Sequence, residues 1–305
     1  MIQYFTPASP PPAGKRQAGF QQSNIPLFQY SIIPLQNQLK NQTLTKNTIL
    51  EPIRAKKHLG QHFLKDENIA QNIVNSLTMP CDALLELGPG TGVLTKYLIK
   101  LPIRKFIAMD VDRDSIPFLK TTFPEAADSF VEGDFLRMPV DEMMAENFSI
   151  IGNFPYNIST QIFFKVLENR NRVPEVVGML QKEVAERIAA PPGSKTYGIM
   201  SVLLQAWYDI EYLFTVEPHV FVPPPKVKSG VIRVKRNQVQ SLGCDEKLFM
   251  TIVKTAFNQR RKTLRNGLKS FQFNENEKLT NLFTKRAEQL GVEEFVFITQ
   301  QLVTI

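Results

Sequence analysis

The chain has 305 residues, 43% hydrophobic and 10% aromatic, enough to bury an α/β core and a small additional unit. No stretch approaches the roughly 20 apolar residues of a membrane helix, and the two cysteines (Cys81, Cys244) and three histidines (His58, His62, His219) fall in no metal-ligand spacing. A formal charge of +7 permits a polyanionic partner without establishing one.

The first fifty residues contain no Asp or Glu. Lys15, Arg16, Lys40 and Lys46 are their only charges, and prolines cluster at Pro7, Pro10, Pro11 and Pro12. Such a stretch cannot build a core, so residues 1–54 are expected to be a disordered or non-native extension. They hold no apolar segment of the secretory type. Organised structure is expected from about Ala55, with a compact basic-polar segment, Lys56 to Leu64, and then a predicted helix from about Glu67 to Leu77 capped by Asp66.

Next comes a short apolar strand, Leu84 to Leu87, running into Gly88, Gly90 and Gly92 and then a helix. Glycine lets the backbone turn sharply and lets a ligand approach without a Cβ in the way. A dinucleotide site wants Gly-x-Gly-x-x-Gly. Here the third glycine comes one residue early, and Val93 stands where that pattern needs glycine. The acidic Glu86 suits a cationic, amino-acid-bearing ligand better than a pyrophosphate. S-adenosylmethionine, with its sulfonium and α-amino groups, satisfies both facts.

Lys105 to Asp110 reads as a second strand ending in a carboxylate that can accept both ribose hydroxyls. Asp110 is preferred to Asp112 for this role. Phe130 to Phe135 reads as a third short strand, with Asp134 placed to accept from an adenine amino group. Each acid alone is ordinarily a solvated charge or a helix cap. Three acids at successive strand ends, the first against the glycine loop, instead mark the ligand end of a doubly wound sheet.

The apolar run Phe148 to Ile151 predicts a buried strand ending in Asn153-Phe154-Pro155-Tyr156. Asn153 offers a side-chain carbonyl, Phe154 a backbone carbonyl and Pro155 a stiff turn, while Tyr156 gives a flat face for a base. Two acceptors aimed at one NH2 orient the nitrogen lone pair toward an electrophile, as amino methylation requires. Read in isolation, the same four residues describe an ordinary turn; the upstream glycine loop favours the chemical reading.

Residues 216–230 form a Pro-rich crossing before a last strand, Val231 to Val234, and the pattern is helical from about Lys235 onward. Lys247 to Asn274 carries seven basic residues and no acid. Helical spacing projects Arg261, Arg265 and Lys269 from one face, with Arg260 and Lys262 beside them, while Phe249, Ile252, Val253, Ala256 and Phe257 pack on the other. A basic face is usually just solvated; the absence of acids near a base-gripping motif favours phosphate contact. The expected fold is α/β: a doubly wound, Rossmann-like methyltransferase domain over residues 55–234, with a small helical C-terminal RNA-binding domain over residues 235–305.

With these motifs the chain resembles the ribosomal RNA adenine dimethyltransferase family, and within it the KsgA-type small-subunit enzymes, from about Lys56 to Leu290. The resemblance rests on the segments Leu59–Leu64, Glu86–Gly92, Gly133–Phe135, Asn153–Thr160, Pro223–Ser229 and Arg260–Asn266. It implies transfer of two methyl groups from S-adenosylmethionine to N6 of each of two adjacent adenines, in a hairpin loop near the 3′ end of 16S rRNA. It further implies a cytoplasmic protein that serves maturation of the small ribosomal subunit. The chain is expected to act as a monomer, without metal or membrane.

Carried over by position, His62 and Leu64 hold the methionine end of the cofactor, followed by Glu86, Gly88, Gly90, Asp110 and Asp134. Asn153 is shared between cofactor and base; with the Phe154 carbonyl it holds the target N6. Tyr156 stacks on the adenine, and Phe221 is assigned its opposite face. Three positions depart from the family pattern. Phe154 stands where Leu is usual, Asp110 where Glu is usual, and Gly267 where Asn is usual; the last weakens its helix by up to about 1 kcal/mol. Two other readings compete. One is a large-subunit adenine N6-methylase of the resistance type, against which the segments Pro223–Ser229 and Arg260–Asn266 argue. The other is an assembly factor acting mainly by binding, against which the intact glycine loop argues.

Overall fold

The computed structural model describes residues 53–78, 81–139 and 143–303. The extension read into residues 1–54 lies outside them except for its last two residues. In chain order the elements are β1 (Phe63–Leu64), α1 (Glu67–Asn75), β2 (Ala83–Leu87), α2 (Thr95–Leu98), β3 (Lys105–Asp110), α3 (Ser115–Thr122), β4 (Phe130–Glu132), β5 (Ser149–Asn153), α4 (Ser159–Glu168), β6 (Glu175–Gln181), α5 (Lys182–Ala189), α6 (Ile199–Gln205), β7 (Tyr208–Val216), β8 (Phe221–Val222), β9 (Ser229–Arg236), α7 (Glu246–Asn258), α8 (Leu264–Gly267), α9 (Glu277–Phe283) and α10 (Val292–Gln300). Asp66 caps α1 as its sequence position predicts, its carboxylate accepting from the Ile69 N–H at 3.0 Å.

Seven strands form one sheet in the order β4-β3-β2-β5-β6-β9-β7. The first five run parallel, and β9 runs antiparallel to both of its neighbours. Nearly every residue of β2, β5 and β6 is buried, as strands covered on both faces require. The period of two sorts these residues into layers. Leu84, Ile151 and Val177 join one apolar cluster with Ile73 and Val74 of α1 and Leu98 of α2. Leu85, Ile150 and Val176 join the other, with Ile162 and Phe163 of α4 and Leu203 of α6. Phe249, Ile252 and Val253 of α7 belong to that second cluster too.

Two topological facts place the site. The chain leaves β2 for β3 on one side and reaches β5 on the other, so a crevice opens at the carboxyl ends of β2 and β5. Because β9 is reversed, its first residue Ser229 pairs with Gln181 at the carboxyl end of β6. The connection from β7 to β9 therefore reaches the same end of the sheet. Along it, β8 pairs with β1, setting Leu64 opposite Phe221.

The basic helical face expected between Lys247 and Asn274 does not form. α7 ends at Asn258, Thr263 makes an isolated antiparallel bridge with Arg286, and the Leu264 N–H donates to the Lys285 carbonyl at 2.8 Å. That long-range pairing overrides the helical spacing, leaving α8 a single turn. Arg261, Arg265 and Lys269 consequently share no helix face. Among the described residues no helix is long and apolar enough to cross a membrane.

Candidate active site

The glycine loop makes a turn that side-chain-bearing residues adopt poorly. Gly88 and Gly90 have φ of 68° and 54°, and a Cβ at Gly90 would lie 2.9 Å from the Phe63 ring. Asp110, at the end of β3, braces the loop: its carboxylate accepts from the Gly90 N–H at 3.1 Å and from the Asp112 N–H at 2.9 Å. Burial pushes the Asp110 carboxyl above its usual range, and those two N–H groups oppose the shift. Glu86 lies fully buried on β2, accepting from the Thr95 hydroxyl at 2.8 Å. Burial, reinforced by the charge of Asp110, pushes its carboxyl up to about 8. Glu86 also lines a small recess with Leu64, Gly88, Gly90 and Asn153. A buried carboxylate facing a glycine cradle suits a ligand that brings its own positive charge, so the residues fit the ammonium-bearing end of S-adenosylmethionine.

This burial has a consequence for stability. The Glu86 carboxyl titrates near 4.5 in an unfolded chain and near 8 in the fold. The ligand-free protein therefore keeps its full stability below the lower value and loses some as pH rises toward the higher one. Glu86→Gln removes that loss. Scanning calorimetry should show the variant's melting temperature gaining on the wild type by at least about 2 °C between pH 5 and pH 8.5, since about 1 kcal/mol corresponds to 2–4 °C in a domain of this size. Parallel curves would contradict the assignment.

Beyond the loop lies an apolar slot walled by Leu87, Met109, Val111, Phe135, Leu136 and Pro155, with Asp110 and Asp134 at its edges. Asp134 accepts from the Leu136 N–H at 2.9 Å and pairs with Arg137 at 3.2 Å. An apolar recess edged by carboxylates suits an adenine ring with its exocyclic amine. Val111 is 44% exposed, unusual for a large aliphatic residue, and it lines both this slot and the adjoining cleft.

That cleft, about 460 Å³ of open space, is lined by Leu59 to Phe63, Gly88, Gly90, Asp110 and the whole tetrad Asn153 to Tyr156. A strap, residues 56–62, forms its outer wall. Lys56 pairs with Asp112 at 2.5 Å and with Asp114 at 2.7 Å, and the Gln61 amide donates to Asp112 at 2.9 Å. Although burial works against it, Lys56, Gln61 and the Asp114 N–H together hold the Asp112 carboxyl below the usual range.

Inside the cleft the Asn153 amide nitrogen donates to the His62 carbonyl at 2.9 Å, which fixes the side chain and leaves its oxygen as an acceptor. The Phe154 N–H donates to the Met179 carbonyl at 2.9 Å, and its ring, 1% exposed, meets Phe163 edge-on at 6.0 Å. The ring sits where two glycines leave room: a Cβ on Gly178 would lie 2.4 Å from it. The Tyr156 hydroxyl and the Ser229 hydroxyl are 2.6 Å apart, and burial raises the Tyr156 pKa. Its ring stacks on that of His62, centroids 5.5 Å apart at 29°.

The structure thus brings together His62, Leu64, Glu86, Gly88, Gly90, Asp110, Asp134 and Asn153 to Tyr156 around three adjoining recesses. It does not bring Phe221 to them as a base-facing wall. That ring is 1% exposed within the apolar cluster of Leu64 and Val220, because β8 pairs with β1 there. The basic residues also lie apart. Arg260 is tied into the fold, donating to the Lys195 carbonyl and facing Glu288 at 3.7 Å. Arg261 and Lys262 are exposed, and Arg265 and Lys269 rim a separate groove with Phe271 and Phe273. Sequence reasoning missed Val111, the Lys56–Gln61–Asp112 strap and Ser229. Val111 had a local signal, an apolar residue between two acids directly after a strand, and Gln61 and Ser229 lie in the segments Leu59–Leu64 and Pro223–Ser229 that carry the resemblance.

The ribosomal RNA adenine dimethylase family model matches residues 53–302. Over 255 residues the chain is 58% identical to the ribosomal RNA small subunit methyltransferase A of Cytophaga hutchinsonii, covering 83% of this chain and 99% of that protein. The protein of the same name from Bacteroides thetaiotaomicron is 55% identical, with 82% and 94% covered. Among solved structures, a dimethyladenosine transferase from Plasmodium falciparum aligns with a TM-score of 0.67 at 24% identity, over 78% of this chain and 96% of that one. The 23S rRNA methyltransferase ErmE aligns with a TM-score of 0.62 at 20% identity, over 78% and 100%. At such identities these two structures speak for the fold alone.

Proposed function

Because the chain belongs to the ribosomal RNA adenine dimethylase family, we propose a division of labour among its residues for that family's reaction. The enzyme dimethylates N6 of two adjacent adenosines in the 3′-terminal hairpin loop of 16S rRNA in small ribosomal subunits. S-adenosylmethionine, when bound, supplies a methyl group made electrophilic by its sulfonium. Glu86, Gly88 and Gly90, with the His62–Leu64 segment, hold its amino-acid end; Asp110 takes the ribose; Asp134 and the slot behind Val111 take the adenine ring.

The observation that carries the reading is the Asn153 amide, pinned through its nitrogen to the His62 carbonyl and lining the same cleft as Phe154 and Tyr156. Asn153 Oδ1 and the Phe154 carbonyl accept from the two N6 hydrogens, so the nitrogen lone pair turns toward the methyl group. Tyr156 stacks on the base. It remains a phenol throughout, since burial raises its pKa, and so serves as a surface rather than a base. Methylated N6 is acidic enough to release its proton to water, and catalysis rests on positioning and on exclusion of water. A loop adenine is already unpaired, so presenting it costs little.

The decisive experiment is methyl transfer from labelled S-adenosylmethionine to small subunits lacking the dimethylation, with matched large subunits as control. Dimethyladenosine should form in small-subunit RNA only. Label in large-subunit RNA would favour the resistance-type methylase instead. Residues 235–305 serve as the RNA-holding part, through Arg265 and Lys269 with Arg261 and Lys262, and the protein works in the cytoplasm. The double variant Arg265→Glu/Lys269→Glu should raise KM for subunits, leave kcat near wild type and lower the salt dependence of binding by about two counterions; an unchanged salt slope would remove these residues from the RNA contact.

A further inference from the structure

The helical part of the chain carries a second opening that the methylation site does not use. It lies between α8, the connection from Leu268 to Asn276, and α9, and holds about 830 Å³ of open space. That is inside the range of roughly 300–1,000 Å³ typical of small-ligand sites. We propose that this groove captures an unpaired nucleotide of the ribosomal RNA, its base against a cluster of phenylalanine rings and the adjoining phosphates against Arg265 and Lys269. The inference rests on the RNA-holding role read above for residues 235–305 and gives that role a definite pocket.

Three observations carry it. Phe271, Phe273 and Phe283 all line the groove, and all are only half-buried. Phe271 and Phe273 meet tilted, at 6.3 Å and 50°, and Phe273 meets Phe283 edge-on, at 5.1 Å and 79°. No ring in the cluster stacks on another, so flat apolar surface stays available for a base. The cations on the rim are also free. Arg265 and Lys269 make no side-chain ion pair or hydrogen bond among the described residues. Unneutralised cations beside aromatic rings complement a nucleotide, which joins a flat base to an anionic phosphate. Finally, the groove is held open by its backbone. Phe273 bridges Leu302, the Asn274 N–H donates to the Gln301 carbonyl at 2.8 Å, and the Val303 N–H donates to the Gln272 carbonyl at 2.9 Å. Asn276 caps α9, accepting from the Leu279 N–H at 2.9 Å. Leu268 and Leu279, each 1% exposed, tie the lining to the main apolar cluster.

The charge of the rim selects among occupants. The chain's own first fifty residues carry four cations and no acid, and a second copy would bring a formal charge of +7; the rim repels both. Glu275, the one acid on the lining, narrows the choice of base. A carboxylate only accepts hydrogen bonds, so it favours a base with an exocyclic amine (adenine, cytosine or guanine) over uracil.

The test uses the full chain and small subunits lacking the dimethylation. Phe271→Ala should raise the KM for subunits about 5-fold or more, the low end of a base–aromatic stack, with kcat within about threefold of wild type. Phe271→Leu, which keeps apolar bulk without a ring, should be as poor, and Phe271→Tyr should return to within about threefold. The salt dependence of binding should stay at the wild-type slope in each variant, since stacking displaces no counterion. An unchanged KM in Phe271→Ala, or recovery by Phe271→Leu, would overturn the proposal and leave the rings as packing. So would a shallower salt slope, which would show that the variant merely displaces the neighbouring cations. Ultraviolet crosslinking of the wild-type complex, followed by nuclease digestion and mass spectrometry, gives a readout independent of methylation. Adenosine, cytidine or guanosine should be attached at Phe271 or Phe273. Uridine there would overturn it, as would attachment only elsewhere on the chain, the result a ribosomal-protein occupant would give. Failure of the wild type to dimethylate small subunits would instead overturn the underlying reading; normal wild-type activity with unaffected Phe271 variants removes the groove alone.

Discussion

Asn153→Ala should lower the rate of N6 methylation about 10²- to 10³-fold while leaving S-adenosylhomocysteine affinity within about tenfold. The side chain stands at the end of β5, beside the crevice where the sheet reverses its order, and its amide nitrogen is spent on the His62 carbonyl. The side chain is therefore fixed in orientation before any base arrives. Loss of one such preorganised partner typically costs about 2.7–4 kcal/mol at the transition state. The Phe154 carbonyl remains, which is why the loss is not larger. Single-turnover methylation of small subunits measures the rate, and calorimetric titration the affinity. Wild-type turnover by the variant would sink the role assigned to the tetrad. A matching collapse of affinity would show instead that Asn153 serves chiefly the cofactor.

Gly152→Ala should be more damaging to the fold than to any single contact of the ligand. A Cβ there would stand 2.4 Å from the Leu87 carbonyl oxygen and 3.0 Å from the Phe154 ring. The first neighbour is backbone and cannot yield: Leu87 is locked in the β2–β3 ladder, and the following Gly88 N–H donates to the Met109 carbonyl at 2.9 Å. Overpacking of this kind costs about 3 kcal/mol or more, roughly 6–12 °C in melting temperature. Thermal unfolding monitored by circular dichroism would show it. Gly267→Ala makes the contrast: the nearest atom to its added Cβ is 3.9 Å away, and a better helix former should stabilise α8 by up to about 1 kcal/mol. Equal melting temperatures for the two variants would contradict the packing account.

The legible parts of this molecule were those decided locally. The Asp66 cap, the strands ending at Leu87, Asp110 and Asn153, and the glycine loop each follow from a few consecutive residues. The crevice between β2 and β5 then followed from the general logic of parallel sheets. The illegible parts were decided by partners distant in sequence. Phe221 looked available until β8 paired with β1, and Arg260 looked like a phosphate ligand until it met the Lys195 carbonyl. The basic stretch had convincing helical spacing, yet the Thr263–Arg286 bridge bent it. Asp110 lines the cleft while Asp112 pairs with Lys56, and nothing in the neighbourhood of Asp112 announced that partner.

The reversed strand β9 makes the protein modular in its heredity. The residues read here as the donor's grip come mostly from one stretch of chain, His62 to Asp134, running through the parallel strands. Ser229 and the Pro223 carbonyl, which set Tyr156 and His62, come from a different stretch, delivered to the same rim only because β9 runs backward. Outside β8 and Pro223, which back Leu64 and His62, the connection between β7 and β9 can change its sequence without touching the donor's cradle. A lineage can retune which nucleotide it admits while inheriting the means of supplying the methyl group intact.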